Sequence, residues 1–222
     1  MNNITTPQKR TSARARIHAA ALRTFADSGS AGVTVSEVAE AAGIARGTVY
    51  NNISDPENLF FEVASELSSE MIARVEATMA GLEDPALRLA TGVRLFVRRA
   101  SEERDWGAFL VRFGLWHSDL QRLLEAPPVK DAANVLLRAR RVRDAQRDMA
   151  FVSMLSGATL AAMSAVIGGH QGWREAGSHT AEMLLRAAGV PGAQARRLAN
   201  TRLPDLAVAA PGEARSKRRK TA

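Results

Sequence analysis

Residues 34–51 read TVSEVAEAAGIARGTVYN, from Thr34 to Asn51. Thr34 is a good N-cap residue, and Glu37 three positions later completes a capping box. Val33 and Val38 occupy the two positions of a hydrophobic staple. Val35, Val38, Ala39 and Ala42 follow as an apolar stripe at helical spacing. Gly43 stands where that helix needs a left-handed residue, a conformation glycine adopts without steric cost. Ile44 anchors the turn, and Ala45-Arg46-Gly47-Thr48-Val49-Tyr50 opens a second helix. Val49 faces inward there, leaving Arg46, Thr48, Tyr50 and Asn51 to point out. Small Ala39 lets the two helices cross closely. Two short helices joined this way form a helix-turn-helix whose second member is shaped for the DNA major groove. Any compact helical hairpin could carry the same caps and turn, so the surroundings decide between the two readings.

Upstream, Ile17, Ala20, Ala21 and Phe25 repeat at helical period. Thr11 or Ser12 can cap that helix and Gly29 can close it. Ser28 to Gly32 is a breaker-rich loop. Downstream, Asp55-Pro56 is a second start signal, an Asp N-cap with proline at the first helical position. Three short helices therefore precede a long fourth, expected from Pro56 to about Ala80.

With these residues in place, the chain resembles the TetR family of bacterial transcriptional regulators. Ile17, Ala20, Ala21, Phe25, Gly29, Thr34, Val38, Ala39, Ala42, Gly43, Gly47, Thr48, Tyr50 and Leu59 carry the match, which covers roughly residues 12 to 65. The resemblance implies an N-terminal DNA-binding domain, a C-terminal ligand-binding and dimerisation domain, and repression relieved by a small molecule. Three positions depart from the family's pattern. Asn52 stands where a His or Tyr is usual, Ile53 where an aromatic is usual, and Pro56 where a Lys normally reaches a phosphate. Proline supplies neither charge nor N–H. Asn51, Asn52 and the free N–H groups of that helix terminus are the expected substitutes.

The formal charge of +7 is unevenly spread. Lys9, Arg10, Arg14, Arg16, Arg23 and Arg46 outnumber three acids in residues 1–52. Arg215, Lys217, Arg218, Arg219 and Lys220 outnumber Asp205 and Glu213 in residues 204–222. A basic end beside a helix-turn-helix fits a polyanion, because neutralising phosphates releases counterions. For the C-terminal tail, plain solvated charge fits as well. The chain has no cysteine, which excludes disulfides, thiolate zinc sites and cysteine nucleophiles. Met1 to Arg16 is polar and basic, without the apolar stretch of a signal peptide, so a cytoplasmic address is expected.

From Glu57 onward helical spacing recurs and no strand alternation appears. Asp84-Pro85 opens a helix through Leu89, Val93, Phe96 and Val97. Trp106 to Leu124 is aromatic, Pro127-Pro128 breaks the chain, and Val129 to Arg147 reads as a basic amphipathic helix. Met149 to Gly169 carries no charge and is long enough for a bilayer. Its serines, glycines and alanines, and its lack of flanking aromatic belts, fit a buried or intersubunit helix better. Gly157/Ala161 and Ala158/Ala162 suit close helix packing. Ser178 to Ala188 and Ala193 to Arg202 are two further helices, and a disordered tail is expected beyond Pro204.

The expected architecture is all-α: a flexible basic arm (1–11), a three-helix helix-turn-helix DNA-binding domain (12–55), a helical ligand-binding and dimerisation domain (56–203) and a basic tail (204–222). The expected function is that of a homodimeric regulator, a repressor released from a palindromic operator on double-stranded DNA by a small-molecule effector. The competing readings are an architectural DNA-binding protein and a helical interaction module without an effector. Arg46 is the expected base reader, with Thr48 and Asn51 beside it. Thr34, Ser36 and Tyr50 are expected on phosphates, and Ala45, Gly47 and Asn52 complete the surface. Lys9, Arg10 and Arg14 are expected as the arm. Trp106, Phe109, Phe113, Trp116 and His117 are the candidate effector lining, against plain core packing. No cofactor, metal site, membrane partner or catalytic residue is expected: there is no phosphate-binding glycine loop, no Gly-x-Ser-x-Gly elbow and no ligand spacing among His117, His170 and His179.

Overall fold

The computed structural model describes residues 7–118, 120, 134 and 145–208. Among the described residues there are helices and no strand. They are α1 (Pro7–Ser28), α2 (Val35–Ala42), α3 (Arg46–Asn52), a 3-10 turn (Pro56–Asn58), α4 (Leu59–Met79), α5 (Pro85–Glu102), α6 (Arg104–Phe113), α7 (Ala145–Ile167), α8 (Trp173–Ala187) and α9 (Gly192–Ala199). The chain divides into two compact units, Met1–Leu67 and Ser68–Ala222, and α4 is continuous through the boundary.

In the first unit α1, α2 and α3 pack on one another. Their shared core is Ile17, Ala20, Ala21 and Phe25 of α1, Val38 and Ala39 of α2, and Val49 of α3. Ile53, the residue standing in for the family's usual aromatic, is buried too. Phe60, at the start of α4, meets Phe25 edge to face with centroids 5.1 Å apart. Gly29 closes α1 with φ 66°, as expected. The start of α1 differs from expectation: the helix begins at Pro7, so Thr11 and Ser12 lie inside it rather than at its cap. Proline in the first turn loses no helical hydrogen bond, which lets the helix start that early.

The second unit is built around α5, which contacts α6, α7, α8 and α9. Asp84 caps α5 through the Ala86 amide, and Pro85 follows as its first residue. Leu89, Val93, Leu95, Phe96 and Val97 are buried, covering most of the helix circumference, as a central helix requires. Gly107 of α6 lets α5 and α7 close in. A Cβ there would lie 2.8 Å from both the Ala100 Cβ and the Ile167 Cδ1.

Residues 149–167 are long and apolar enough to cross a membrane, by length and composition alone. In the second unit they form most of α7, which buries Phe151, Leu155, Leu160, Met163 and Val166 against its neighbours. Its outer side shows Met149, Met154, Ala161 and Ser164, with open space around Gly157. The expected Val129–Arg147 helix lies outside the described residues except for Asn134 and its last three positions. Residues 204–208, expected to start a disordered tail, instead run extended along the unit and are bonded to it. The rest of the tail, including all five of its cations, lies outside the described residues.

Candidate nucleic-acid interface

The helix-turn-helix is locked by its own caps. Thr34 Oγ1 accepts the Glu37 amide at 3.3 Å, and the Glu37 carboxylate accepts the Thr34 amide at 2.7 Å, which is the reciprocal capping box. The Thr34 hydroxyl also donates to that carboxylate at 2.7 Å. These bonds from the Thr34 hydroxyl and then its amide hold the Glu37 carboxyl below the usual carboxylate range. Gly43 closes α2 with φ 62°. The Ile44 amide reaches the Ala39 carbonyl and the Gly43 amide the Glu40 carbonyl, both at 3.0 Å, a Schellman closure. Arg16 of α1 then donates to the Ala42 carbonyl at 2.7 Å, placing a cation at the negative end of α2.

This frame presents α3 outward. Arg46, Gly47, Tyr50 and Asn51 are exposed, Tyr50 by 55%, while Val49 on the opposite face is fully buried. Arg46, Tyr50 and Asn51 have no side-chain hydrogen bond or ion pair among the described residues. Thr48 is half-buried at the edge of the same face. Ala45, the exposed N-cap residue, makes no side-chain cap hydrogen bond. A Cβ on Gly47 would meet nothing within 4 Å, and Gly47 carries no positive φ. Packing within the subunit therefore does not explain this glycine.

Several expected contacts are already committed elsewhere. Arg14 is no arm residue: it sits in α1 and pairs with Glu62 at 2.8 Å and with Glu66. Two carboxylates neutralise it, which removes it from the pool of free phosphate-binding cations. Lys9 and Arg10 likewise belong to α1 rather than to a flexible arm, and their side chains lie outside the described ones. Asn52 turns back to donate its amide to the Thr48 carbonyl at 2.7 Å. Three of the N–H groups before α4 are also engaged. Ser54 and Asp55 donate theirs to Glu62, at 3.1 and 3.0 Å, and Asn58 donates to its cap Asp55. Thr34 is occupied by the capping box, whereas half-buried Ser36 makes no side-chain hydrogen bond among the described residues.

Sequence reasoning missed the hub of this arrangement, the facing pairs Arg14/His18 on α1 and Glu62/Glu66 on α4. His18 Nδ1 lies 3.0 Å from Glu66. Burial is the largest single influence on the Glu66 carboxyl and raises it. The hydrogen bonds and charges of His18 and Arg14 together outweigh burial and hold it below its ordinary value. His18, Glu62 and Glu66 bring potential ligand atoms within 4.8 Å of one another. Arg14 donates to both carboxylates, so a cationic side chain already occupies the space between them. The helical i, i+4 spacing within each pair was visible in the sequence, but nothing local linked the two pairs.

In the second unit the aromatic cluster divides. Trp106, Phe109 and Phe113 share the inner face of α6 and are buried. Trp106 lies 5.9 Å from the Phe96 ring, and the Arg99 guanidinium stacks 4.5 Å from its centroid. Phe109 and Phe113 lie 5.2 Å apart. The helix ends at Phe113, so Trp116 leaves that face and is 87% exposed, with His117 half-buried beside it.

Comparison with known proteins gives consistent matches. A family model described as "Bacterial regulatory proteins, tetR family" matches residues 17–63, and one described as "Tetracyclin repressor-like, C-terminal domain" matches residues 84–201. The HTH-type transcriptional repressor AcnR of Corynebacterium glutamicum is 35% identical over 97 residues, 41% of this chain and 52% of the relative. AcnR of Corynebacterium efficiens is 34% identical over 89 residues, 37% of this chain and 47% of the relative. The chain thus spans about half the length of the curated relatives it matches. Among solved structures, RolR in complex with resorcinol superposes with a TM-score of 0.63 at 30% identity, covering 91% of this chain and 100% of that one. RolR without ligand gives 0.55 at 29% identity, covering 87% and 100%.

Proposed function

The chain belongs to the TetR family of bacterial regulatory proteins, and on that premise we propose that it is a homodimeric repressor of transcription, released from a palindromic operator by a small aromatic effector. The observation that carries the DNA reading is the outward face of α3: Arg46, Tyr50 and Asn51 are exposed and unbonded on a helix whose supports are fully capped. Arg46 reads a base, and a bidentate contact to guanine discriminates by about 1–3 kcal/mol. Thr48 and Asn51 read beside it. Tyr50 and Ser36 hold phosphates and set the register. Bare Gly47 allows the backbone of α3 to approach the DNA closely. Ala45 and Asn52 frame this surface, and Thr34 supports it by fixing α2.

Dimerisation is assigned to the uncharged outer side of α7, around Gly157 and Ala161, together with Met183 on α8. Methionine 64% exposed beside a surface of small residues supports an intersubunit face. Two-fold symmetry then requires half-sites whose centres are one helical turn, about 34–36 Å, or a multiple apart.

The 30% identical RolR, crystallised with resorcinol, supports a small phenolic effector here. We assign its lining to the aromatic side of α6, Phe109 and Phe113, with His117 offering a polar partner. Trp106 serves instead as core, packed on Phe96 and Arg99. Trp116 completes the effector assignment only as a fluorescent reporter at the end of α6. An effector that favours the released state by about 1–3 kcal/mol suffices for useful induction. Selection of bound sequences from a random DNA pool, at near-physiological salt, tests the reading. A palindromic consensus whose retention falls on adding resorcinol supports it. Binding without consensus points to the architectural reading, and no binding refutes both.

A further inference from the structure

Beyond α9 the chain does not leave the second unit. Residues 201–207 run back across α5 to α4, held at three successive points. Arg94 Nη1 of α5 donates to the Thr201 carbonyl at 2.6 Å. Arg98, one turn further along α5, pairs with Asp205 at 2.9 Å. At Ala207 both backbone groups are captured by one turn of α4. The Arg74 Nε donates to its carbonyl at 2.7 Å, and its amide donates to the Thr78 hydroxyl at 2.9 Å. The Thr78 hydroxyl in turn donates to the Arg74 carbonyl at 2.7 Å, closing a ring of three hydrogen bonds.

The anchoring side chains are themselves fixed. Arg74 also pairs with Glu70 at 2.8 Å, and Arg98 with Glu102 at 2.7 Å while lying 5.5 Å from the Trp173 ring. Arg94 is a buried cation without a carboxylate partner among the described residues, and burial lowers its pKa. The Thr201 carbonyl is its one side-chain hydrogen-bond acceptor among the described residues. Beneath the crossing point, Met71, Val75 and Met79 bury the inner stripe of α4. The match to the family's C-terminal domain ends at residue 201, so the crossing segment beyond Thr201 lies outside it.

We propose that residues 201–207 form a strap that clamps the last turns of α4 in the second unit and fixes the direction in which α4 leaves it. Arg74 and Thr78 are positioning residues: they touch no DNA and no effector, and they act through α4. The consequence for DNA rests on the function proposed above. With α4 clamped, the protein discriminates sharply between operators that differ by one base pair in half-site spacing. With α4 released, that discrimination flattens.

The test uses the full chain with Thr78→Val or Ala207→Pro, which remove the Ala207–Thr78 hydrogen bond from either side, Thr78→Val together with the intrahelical bond to the Arg74 carbonyl. Val208→Pro is the control, because Val208 is 91% exposed. Hydrogen exchange is followed at the amides of residues 76–79, and binding is compared on selected operators whose spacing is native or one base pair longer. One lost hydrogen bond changes a local opening equilibrium by roughly two- to tenfold. Both variants should therefore speed exchange at α4 by about that factor, with the double variant little faster than either single one. Both should also reduce the spacing preference by about threefold or more, while Val208→Pro changes neither. Native exchange in both variants overturns the strap. Faster exchange with an unaltered spacing preference overturns the positioning role and leaves a local fastening. If the unaltered chain selects no DNA, the proposed function falls, and the exchange rates still decide whether the strap clamps α4.

Discussion

Substituting alanine for Gly47 separates stability from DNA binding. The added Cβ meets no atom within 4 Å, and the residue has no positive φ, so the free protein has nothing to rearrange. Glycine inside a helix costs about 0.5–1 kcal/mol relative to alanine, through backbone entropy. Gly47 is the second residue of a seven-residue helix, which places the gain toward the lower bound. For a chain of this size 1 kcal/mol moves Tm by about 2–4 °C, so Gly47→Ala should melt about 1–2 °C higher. On DNA the same methyl stands on the exposed face of α3 between Arg46 and Tyr50. It should hold the helix off the groove and weaken a selected operator by about tenfold or more, equivalent to about 1.4 kcal/mol. Differential scanning fluorimetry and fluorescence anisotropy at one fixed salt concentration measure the two effects. A lower Tm would mean that packing needs the glycine, and unchanged affinity would mean that α3 does not approach DNA there. Gly107→Ala is the contrasting case. Its Cβ would lie 2.9 Å from the Ala100 Cα, so overpacking should destabilise by about 1–3 kcal/mol and lower Tm.

Other substitutions test other parts of the site. Arg46→Ala should flatten base preference across an operator library, whereas Tyr50→Phe should weaken all sequences alike; equal patterns from both would refute the division of roles. Thr34→Ala removes the capping box and should cost about 1 kcal/mol of stability in a urea titration, with m unchanged. Glu66, held below its ordinary pKa in the folded chain, contributes stability present above about pH 4.3 and lost as pH falls through its folded value. The Tm of the native chain should therefore hold from pH 7 to about 5 and drop in acid, and Glu66→Gln should shrink the part of that drop between pH 5 and 3.

Short-range features were legible in the sequence and long-range ones were not. Thr34, Glu37 and Gly43 specify a helix and both its ends within ten residues, because capping is a local hydrogen-bonding problem. Val49 against Arg46, Tyr50 and Asn51 followed from the 3.6-residue period, whereas the all-round apolar or small composition of α7 did not show which of its sides is buried. Arg14 looked like a free cation because its partners Glu62 and Glu66 are 48 and 52 positions away. The segment beyond Pro204 looked like tail because its partners Arg98 and Thr78 lie more than 100 positions back. Trp106, Phe109 and Phe113 share a period that a pocket wall and a core face both satisfy. Trp106 is buried against the tilted Phe96 ring and under the Arg99 guanidinium, partners that the period does not reveal.

The boundary between the two units falls after Leu67, inside a helix rather than in a loop. The two units thus share one helix, and this sets the terms on which such regulators can be recombined. A loop between domains tolerates insertions, but one residue added within α4 would turn everything beyond it by about 100° and advance it about 1.5 Å. Chimaeras joining this reading head to another sensor should therefore work only when the splice preserves the helical register, and point substitution should be a safer route to new pairings than insertion or deletion.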